Sequence, residues 1–190
     1  MKKPFRKLRP SPAQRILAAA DKLFYSQGIR AIGVDAVAAE ANVSKRTLYN
    51  HYPSKDLLIA AYLKARFRQN VLSDEPPEKQ MLGVFDRLGK AFGHPGFRGC
   101  PFVNAVAELG DPSHAAGGIA LEFKEERRQW FKALLERLQV DDPDALATQL
   151  QILVDGAIAT VLVRGDPSVA AAARAAAATL LKAASVRLPR

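Results

Sequence analysis

Residues 33–52 read GVDAVAAEANVSKRTLYNHY, two short apolar patterns separated by a turn. The first pattern places small apolar residues at helical spacing, at Val34, Val37, Ala38 and Ala41. Asn42 tolerates the left-handed conformation of a sharp turn, Ser44 can cap a new helix, and Leu48 is the apolar anchor of that helix. The stretch therefore predicts a helix-turn-helix at about residues 34–53, a motif whose second helix lies in the major groove of DNA.

The polar residues of this second helix face away from its apolar anchor. At about 100° per residue, Arg46 and Asn50 lie nearly opposite Leu48, and their side chains can reach base edges. The flanking donors are better placed for phosphates: Lys45, Thr47, Tyr49 and His51. Ser54 can cap the next helix, and Lys55 adds a cation where free backbone N–H groups already attract a phosphate.

The positive charge of the chain is concentrated near its N-terminus. Residues 1–70 hold 14 Lys and Arg against 4 Asp and Glu, whereas residues 71–190 hold 14 against 15. Such a local surplus favours a polyanionic partner, namely DNA, RNA or an anionic membrane surface. Residues 1–11 form a predicted basic arm, which follows the DNA backbone, enters the adjacent minor groove or serves as a disordered solubilising tail. Its cations are Lys2, Lys3, Arg6, Lys7 and Arg9.

The composition predicts an all-α fold. Alanine occurs 33 times against 24 for Val, Ile and Thr together, and no segment alternates apolar and polar residues as a strand would. Cap residues followed by proline mark helix starts at Ser11, Asp111, Asp142 and Asp166. We expect helices near residues 12–27, 34–41, 45–52, 54–72, 79–92, 101–110, 113–138, 143–163 and 167–186.

The helix-breaking stretch at residues 73–78 is the predicted domain boundary. It separates an N-terminal three-helix helix-turn-helix domain, residues 12–72, from a C-terminal helical domain, residues 79–190. The chain has one cysteine, which excludes an internal disulfide and a Cys-rich zinc module. The N-terminus has no secretory pattern, and we expect no run near the roughly 20 apolar residues of a membrane span. These features predict a soluble, cytoplasmic protein with no membrane partner, cofactor or metal.

Residues 12–62, and above all VSKRTLYNHYPSKDLL at residues 43–58, resemble the DNA-binding domain of the TetR/AcrR family of bacterial transcriptional regulators. The resemblance implies an all-α homodimer that binds a palindromic operator, usually as a repressor released by a small ligand. It also implies DNA contacts at Arg46, Thr47, Tyr49, Asn50, His51 and Lys55. The chain departs from the family pattern where Ile32 and Gly33 replace phosphate-binding hydroxyl residues and where Asn42 replaces the turn glycine.

The C-terminal domain is expected to dimerise and to sense the ligand. The last two helices would form a four-helix interface through small and apolar residues: Ile152, Gly156, Ala159, Thr160, Val163, Ala173, Ala177 and Leu181. A ligand site would be lined by aromatic residues with polar residues among them: Phe67, Phe85, Phe92, Phe102, Asn104, His114 and Trp130. The alternatives are that these helices form the core of a monomer and that the aromatic residues are ordinary core.

Cys100 supports an alternative role. It precedes Pro101 at a predicted helix start, with Arg98 nearby, and both the helix dipole and the cation favour a thiolate. A redox- or electrophile-sensing regulator is therefore the alternative function. The simpler interpretation of Cys100 is a half-buried cysteine with a structural role. An enzyme with Cys100 as nucleophile and His94 or His114 as base is a further alternative. No acidic residue stands at a characteristic spacing to orient such a histidine, so no catalytic residue is predicted.

Overall fold

The computed structural model of the protein describes residues 10–111 and 113–186, so the basic arm up to Arg9 lies outside the described residues. These residues form nine helices and no strand, which confirms the all-α prediction. In chain order the helices are α1 Pro12–Gln27, α2 Val34–Glu40, α3 Lys45–His51, α4 Lys55–Arg66, α5 Pro77–Phe92, α6 Pro101–Leu109, α7 Ala115–Arg137, α8 Pro143–Arg164 and α9 Val169–Val186.

One helix is clearly shorter than predicted. α4 ends at Arg66, whereas the sequence pattern predicted helix to residue 72. Beyond it, Phe67 packs edge-on against Phe123 with 5.3 Å between ring centroids. The backbone N–H of Asn70 donates to the Glu126 carboxylate at 2.7 Å. Side chains distant in sequence therefore hold the segment after Arg66 in an irregular conformation. These contacts override the local helix propensity of that segment.

The chain divides into two compact units. The first unit takes the chain up to Arg66 and adds Asn104–Ile119, and the second comprises Phe67–Val103 and the chain from Ala120 onward. In the first unit, α1 packs on α2, α3 and α4. Burying these helices against one another removes apolar side chains from water, which is the main favourable term in folding. Its fully buried side chains include Ile16, Leu48, Leu58, Ile59, Tyr62 and Leu63.

Two polar contacts join distant parts of the first unit. The guanidinium of Arg66, at the end of α4, forms a two-pronged ion pair with Asp21 of α1 and stacks over the Tyr25 ring at 4.1 Å. The carboxylate of Glu108 accepts a hydrogen bond from the backbone N–H of Arg30 at 3.0 Å. The second contact holds the C-terminal end of α6 against the loop that follows α1.

The second unit has its core between α5, α7, α8 and α9. Its buried side chains include Met81, Phe85, Phe131, Leu134, Leu150, Val154 and Leu181. Among the described residues, α8 is the one helix long and apolar enough to cross a membrane, with a mean hydropathy of 1.7. The expectation that no segment reaches this level is therefore wrong for α8. Because Leu150 and Val154 are fully buried, one face of α8 serves the core of this unit.

Candidate nucleic-acid interface

The helix that carries the predicted DNA contacts, α3, is fixed at both ends. The hydroxyl of Ser44 accepts a hydrogen bond from the Thr47 backbone N–H at 3.0 Å, as an N-cap residue should. At the other end the Tyr52 N–H donates to the Leu48 carbonyl at 2.8 Å. Leu48 is fully buried. A seven-residue helix is too short to be stable alone, so these caps and this one anchor hold α3 to the first unit.

The turn before α3 has the conformation that the sequence predicted. Asn42 adopts φ 50°, in the left-handed region, and thereby does the work of the glycine usual at this place. The Val43 N–H donates to the Ala38 carbonyl at 3.0 Å, which closes the end of α2. From α1, the guanidinium of Arg15 donates to the Asn42 carbonyl at 3.2 Å. The turn is therefore bound by an α1 side chain that sequence reasoning did not single out.

The two residues predicted to read bases point into solvent. Arg46 and Asn50 are exposed, as are Tyr49 and His51. Thr47 is half-buried, and its hydroxyl lies 2.8 Å from the Ser44 hydroxyl. The exposed side of α3 thus carries a guanidinium and an amide with the hydrogen-bonding groups needed at base edges.

Lys45 is less available than the sequence suggested. Its ammonium lies 2.9 Å from the carboxylate of Asp35 in the first turn of α2. The hydrogen bond to Asp35 and its negative charge raise the pKa of Lys45. Asp35 lies inside the stretch that predicted the motif, but its pairing depends on how α2 and α3 cross. Sequence reasoning missed this carboxylate beside the predicted phosphate contacts.

The first turn of α4 holds the remaining predicted contact. The Ser54 hydroxyl accepts from the Leu57 N–H at 3.1 Å, which confirms it as a cap, and Lys55 is half-buried at the first position of the helix. Asp56 lies 3.4 Å from Nε2 of His114. His114, a predicted ligand contact, therefore borders α4 within the first unit.

The residues predicted to line a ligand site fall in separate places. In the second unit, Phe67 packs with Phe102, whereas Phe85 and Trp130 belong to the main core and Phe92 packs with Phe97. Asn104, like His114, belongs to the first unit. Neither unit by itself brings the set together, and the ligand role of these residues stays a prediction.

The predicted dimer face divides into two groups. Ile152, Gly156, Ala159, Thr160 and Val163 of α8 are all exposed. In α9, however, Ala177 and Leu181 are buried in the core of their own chain, and Ala173 packs against it. The prediction that these three residues face a partner chain is therefore corrected, because they belong to the core that α9 forms with α5 and α8. Since α9 is alanine-rich on every side, the sequence pattern could not decide which side would face inward.

Cys100 is buried at 7% exposure. The guanidinium of Arg127 interacts electrostatically with it, although burial dominates and lowers the pKa of Arg127. Among the described residues, no three His, Cys, Asp or Glu side chains lie close enough to hold a metal ion. Redox or electrophile sensing at Cys100 stays a prediction.

A short capped helix with one buried leucine, set after a sharp turn and carrying exposed polar side chains, defines a helix-turn-helix DNA-binding protein. The sequence model of a family described as bacterial regulatory proteins, tetR family, matches residues 16–62. The chain is 36% identical to a TetR transcriptional regulator of Streptomyces avermitilis, covering 92% of this chain and 98% of that one with a TM-score of 0.83.

Two further relatives agree. A TetR-family transcriptional regulator of Streptomyces coelicolor is 33% identical over 93% of this chain and 92% of its own, with a TM-score of 0.81. The HTH-type transcriptional regulator YjdC of Escherichia coli is 26% identical over 156 residues, 78% of this chain and 82% of that protein. The chain belongs to the TetR family of transcriptional regulators and is a DNA-binding regulator.

Proposed function

We propose that the protein is a homodimeric repressor that binds a palindromic operator and is released from it by a small ligand. The observation that carries the DNA-binding part is the geometry of α3, in which Leu48 is buried while Arg46 and Asn50 are exposed on the other side. One helix reads only one half-site, so a second copy related by twofold symmetry supplies the other.

Direct readout is assigned to the two residues opposite the anchor. Arg46 donates to guanine O6 and N7, and Asn50 pairs with adenine, because these are the base edges that match a guanidinium and an amide. Phosphate contacts are assigned to Lys45, Thr47, Tyr49, His51 and Lys55. Such contacts position the helix and contribute affinity without sequence preference.

The exposed face of α8 is the proposed dimer interface. Ile152 is 63% exposed and Val163 is 89% exposed, while Gly156 and Ala159 between them allow close approach of a second helix. Exposed apolar side chains on a continuous face are typical of an interaction surface. On α9, the side turned away from α5 replaces the three buried residues, and it carries Ala172, Ala175, Ala176 and Thr179.

Release by a ligand is assigned to the second unit. α6 begins there, at Pro101, and its later residues belong to the first unit, as does the start of α7. Helices that belong to both units can carry a ligand-induced change to the DNA-binding unit. The Glu108 contact with the loop after α1 supports this, because it binds the end of α6 to that unit.

The test is DNA binding by the full chain, measured by fluorescence anisotropy on the DNA that flanks its own gene and on a scrambled duplex. Arg46→Ala and Asn50→Ala should each lower affinity for the operator far more than for scrambled DNA. Lys55→Ala should weaken both duplexes alike and flatten the dependence on salt. Equal losses on both duplexes for all three variants would contradict these roles.

A further inference from the structure

A groove of about 460 Å³ lies in the second unit, and among the aromatic residues predicted to bind ligand only Trp130 lines it. Its sides are the irregular segment that follows α4, one face of α5, and Trp130 of α7. Gly83 lies on the α5 face and has no side chain to fill the space. A β-carbon placed there would approach Arg87 Nη1 at 3.6 Å and meet nothing else within 4 Å.

The irregular segment is held firmly, so the groove is formed before any ligand arrives. Asn70 bonds the Glu126 carboxylate through its backbone N–H at 2.7 Å and through Nδ2 at 3.2 Å. Gln80, buried at 7% exposure, donates to the carbonyls of Ser73 at 3.0 Å and Glu75 at 2.6 Å. A preorganised site loses little ordering entropy on binding.

The charges around the groove leave a positive surplus. Both acids that line it are paired, Glu75 with Lys79 at 2.7 Å and Asp86 with Arg174 at 2.9 Å. Arg87 makes no hydrogen bond or ion pair with the part of the chain that the structure describes. Arg68, which donates to the Phe67 carbonyl at 3.4 Å, adds a second guanidinium to the lining. Guanidinium groups match the paired oxygens of carboxylates and phosphates.

Trp130 adds a donor without an acceptor. Its side chain is 93% buried, and Nε1 has no hydrogen-bond partner among the described residues. Buried polar groups in folded proteins are nearly always paired, so this indole N–H needs an explanation. The nitrogen itself is shielded from solvent, so the role of Trp130 in the groove is to form part of its wall and to report on what binds there.

We infer that this groove binds a small hydrophilic dianion, a dicarboxylate or a phosphate monoester, whose charged oxygens pair with Arg87 and Arg68. This inference gives the ligand of the proposed function a binding site and a chemical class. It rests on the proposed function only for the claim that ligand binding releases the operator.

The test uses the single tryptophan of the chain as its reporter. Full-length protein is titrated with succinate, with glucose 6-phosphate and with inorganic phosphate at constant ionic strength, while the emission of Trp130 is followed. The neutral counterparts succinamide and glucose are the controls. A saturable change with succinate assigns a dicarboxylate, one with glucose 6-phosphate but not phosphate assigns a phosphate monoester, and no saturable change with any dianion overturns the site.

Two variants keep the result specific. Arg87→Gln should weaken the responding dianion at least tenfold, whereas Lys182→Gln, the same loss of charge on α9, should leave it unchanged. Gly83→Leu should abolish the response by filling the groove, with Gly83→Ala as the folded control. An unchanged response in Arg87→Gln or Gly83→Leu overturns the site.

DNA binding separates this inference from the proposed function. If the dianion binds but the operator complex is unaffected, the groove stands and ligand release by this site fails. If another compound releases the DNA equally from wild type and from Gly83→Leu, the proposed function stands and the groove is not its ligand site.

Discussion

The ion pair between Asp35 and Lys45 should limit how much of the basic charge of α3 reaches DNA. The carboxylate lies 2.9 Å from the ammonium, and both side chains are largely exposed, at 73% and 56%. A phosphate approaching Lys45 must therefore compete with a carboxylate already in place. Asp35→Asn removes that competitor and one negative charge, so it should strengthen binding to DNA.

The size of the effect follows from counterion release. Each phosphate that a protein neutralises adds about −0.9 to the slope of log affinity against log salt concentration. Because two chains bind one operator, one additional contact per chain should steepen the slope by about 1.8, which corresponds to roughly a 12-fold difference between 50 and 200 mM salt. Since phosphate contacts do not read sequence, operator and scrambled DNA should gain equally.

The assay is fluorescence anisotropy with both duplexes across a salt series. Asp141→Asn is the matched control, because it removes the same charge from an exposed residue of the second unit. Lys45→Ala should flatten the slope. Asp35→Asn combined with Lys45→Ala should show no more gain than the Asp141→Asn control.

Two results would refute the reasoning about Lys45. One is a gain from Asp35→Asn that persists in the Lys45→Ala background, which would make it a general charge effect. The other is the absence of any gain at low salt in a variant whose thermal unfolding matches that of the wild type. In that case Lys45 does not contact phosphate.

Arg66→Ala should lower the free energy of unfolding by about 1–2 kcal/mol, because it breaks a charge-assisted pair with Asp21, which is partly exposed. Arg66→Lys should recover only part of that loss in urea denaturation, and full recovery would contradict a two-pronged contact. Val163→Glu should disrupt the dimer, so that light scattering gives the mass of a monomer. Val71→Glu, at a site that is 80% exposed and outside α8, should leave the dimer intact. Hydrogen bonds from the Arg128 guanidinium on α7 lower the pKa of Glu125 from 4.5 to about 2. Because this pKa is lower in the folded state, the stabilisation is present above pH 4.5 and is lost as the pH falls toward 2. Glu125→Gln should therefore flatten the dependence of stability on pH in that window, and an unchanged dependence would show that solvent screens the pair.

Local signals in the chain were sufficient for the helix-turn-helix. A cap acts on backbone groups within three residues, a left-handed Asn42 acts on its own turn, and the position of Leu48 against Arg46 follows from the period of a helix. Each of these effects is short in range, so a single sequence carries it in full. The helix starts at Pro12, Pro101 and Pro143 were predicted for the same reason.

Contacts between residues far apart in the chain account for what could not be predicted. Asp35 reaches Lys45 only because α2 and α3 cross, and α4 ends early because Glu126 takes the backbone N–H of Asn70. In α9, alanine on every side gives no preference for an inward face, and packing on α5 makes the choice. Such outcomes depend on which surfaces meet in the folded chain, and burial, charge pairing and unsatisfied backbone groups are set there rather than by neighbours in sequence.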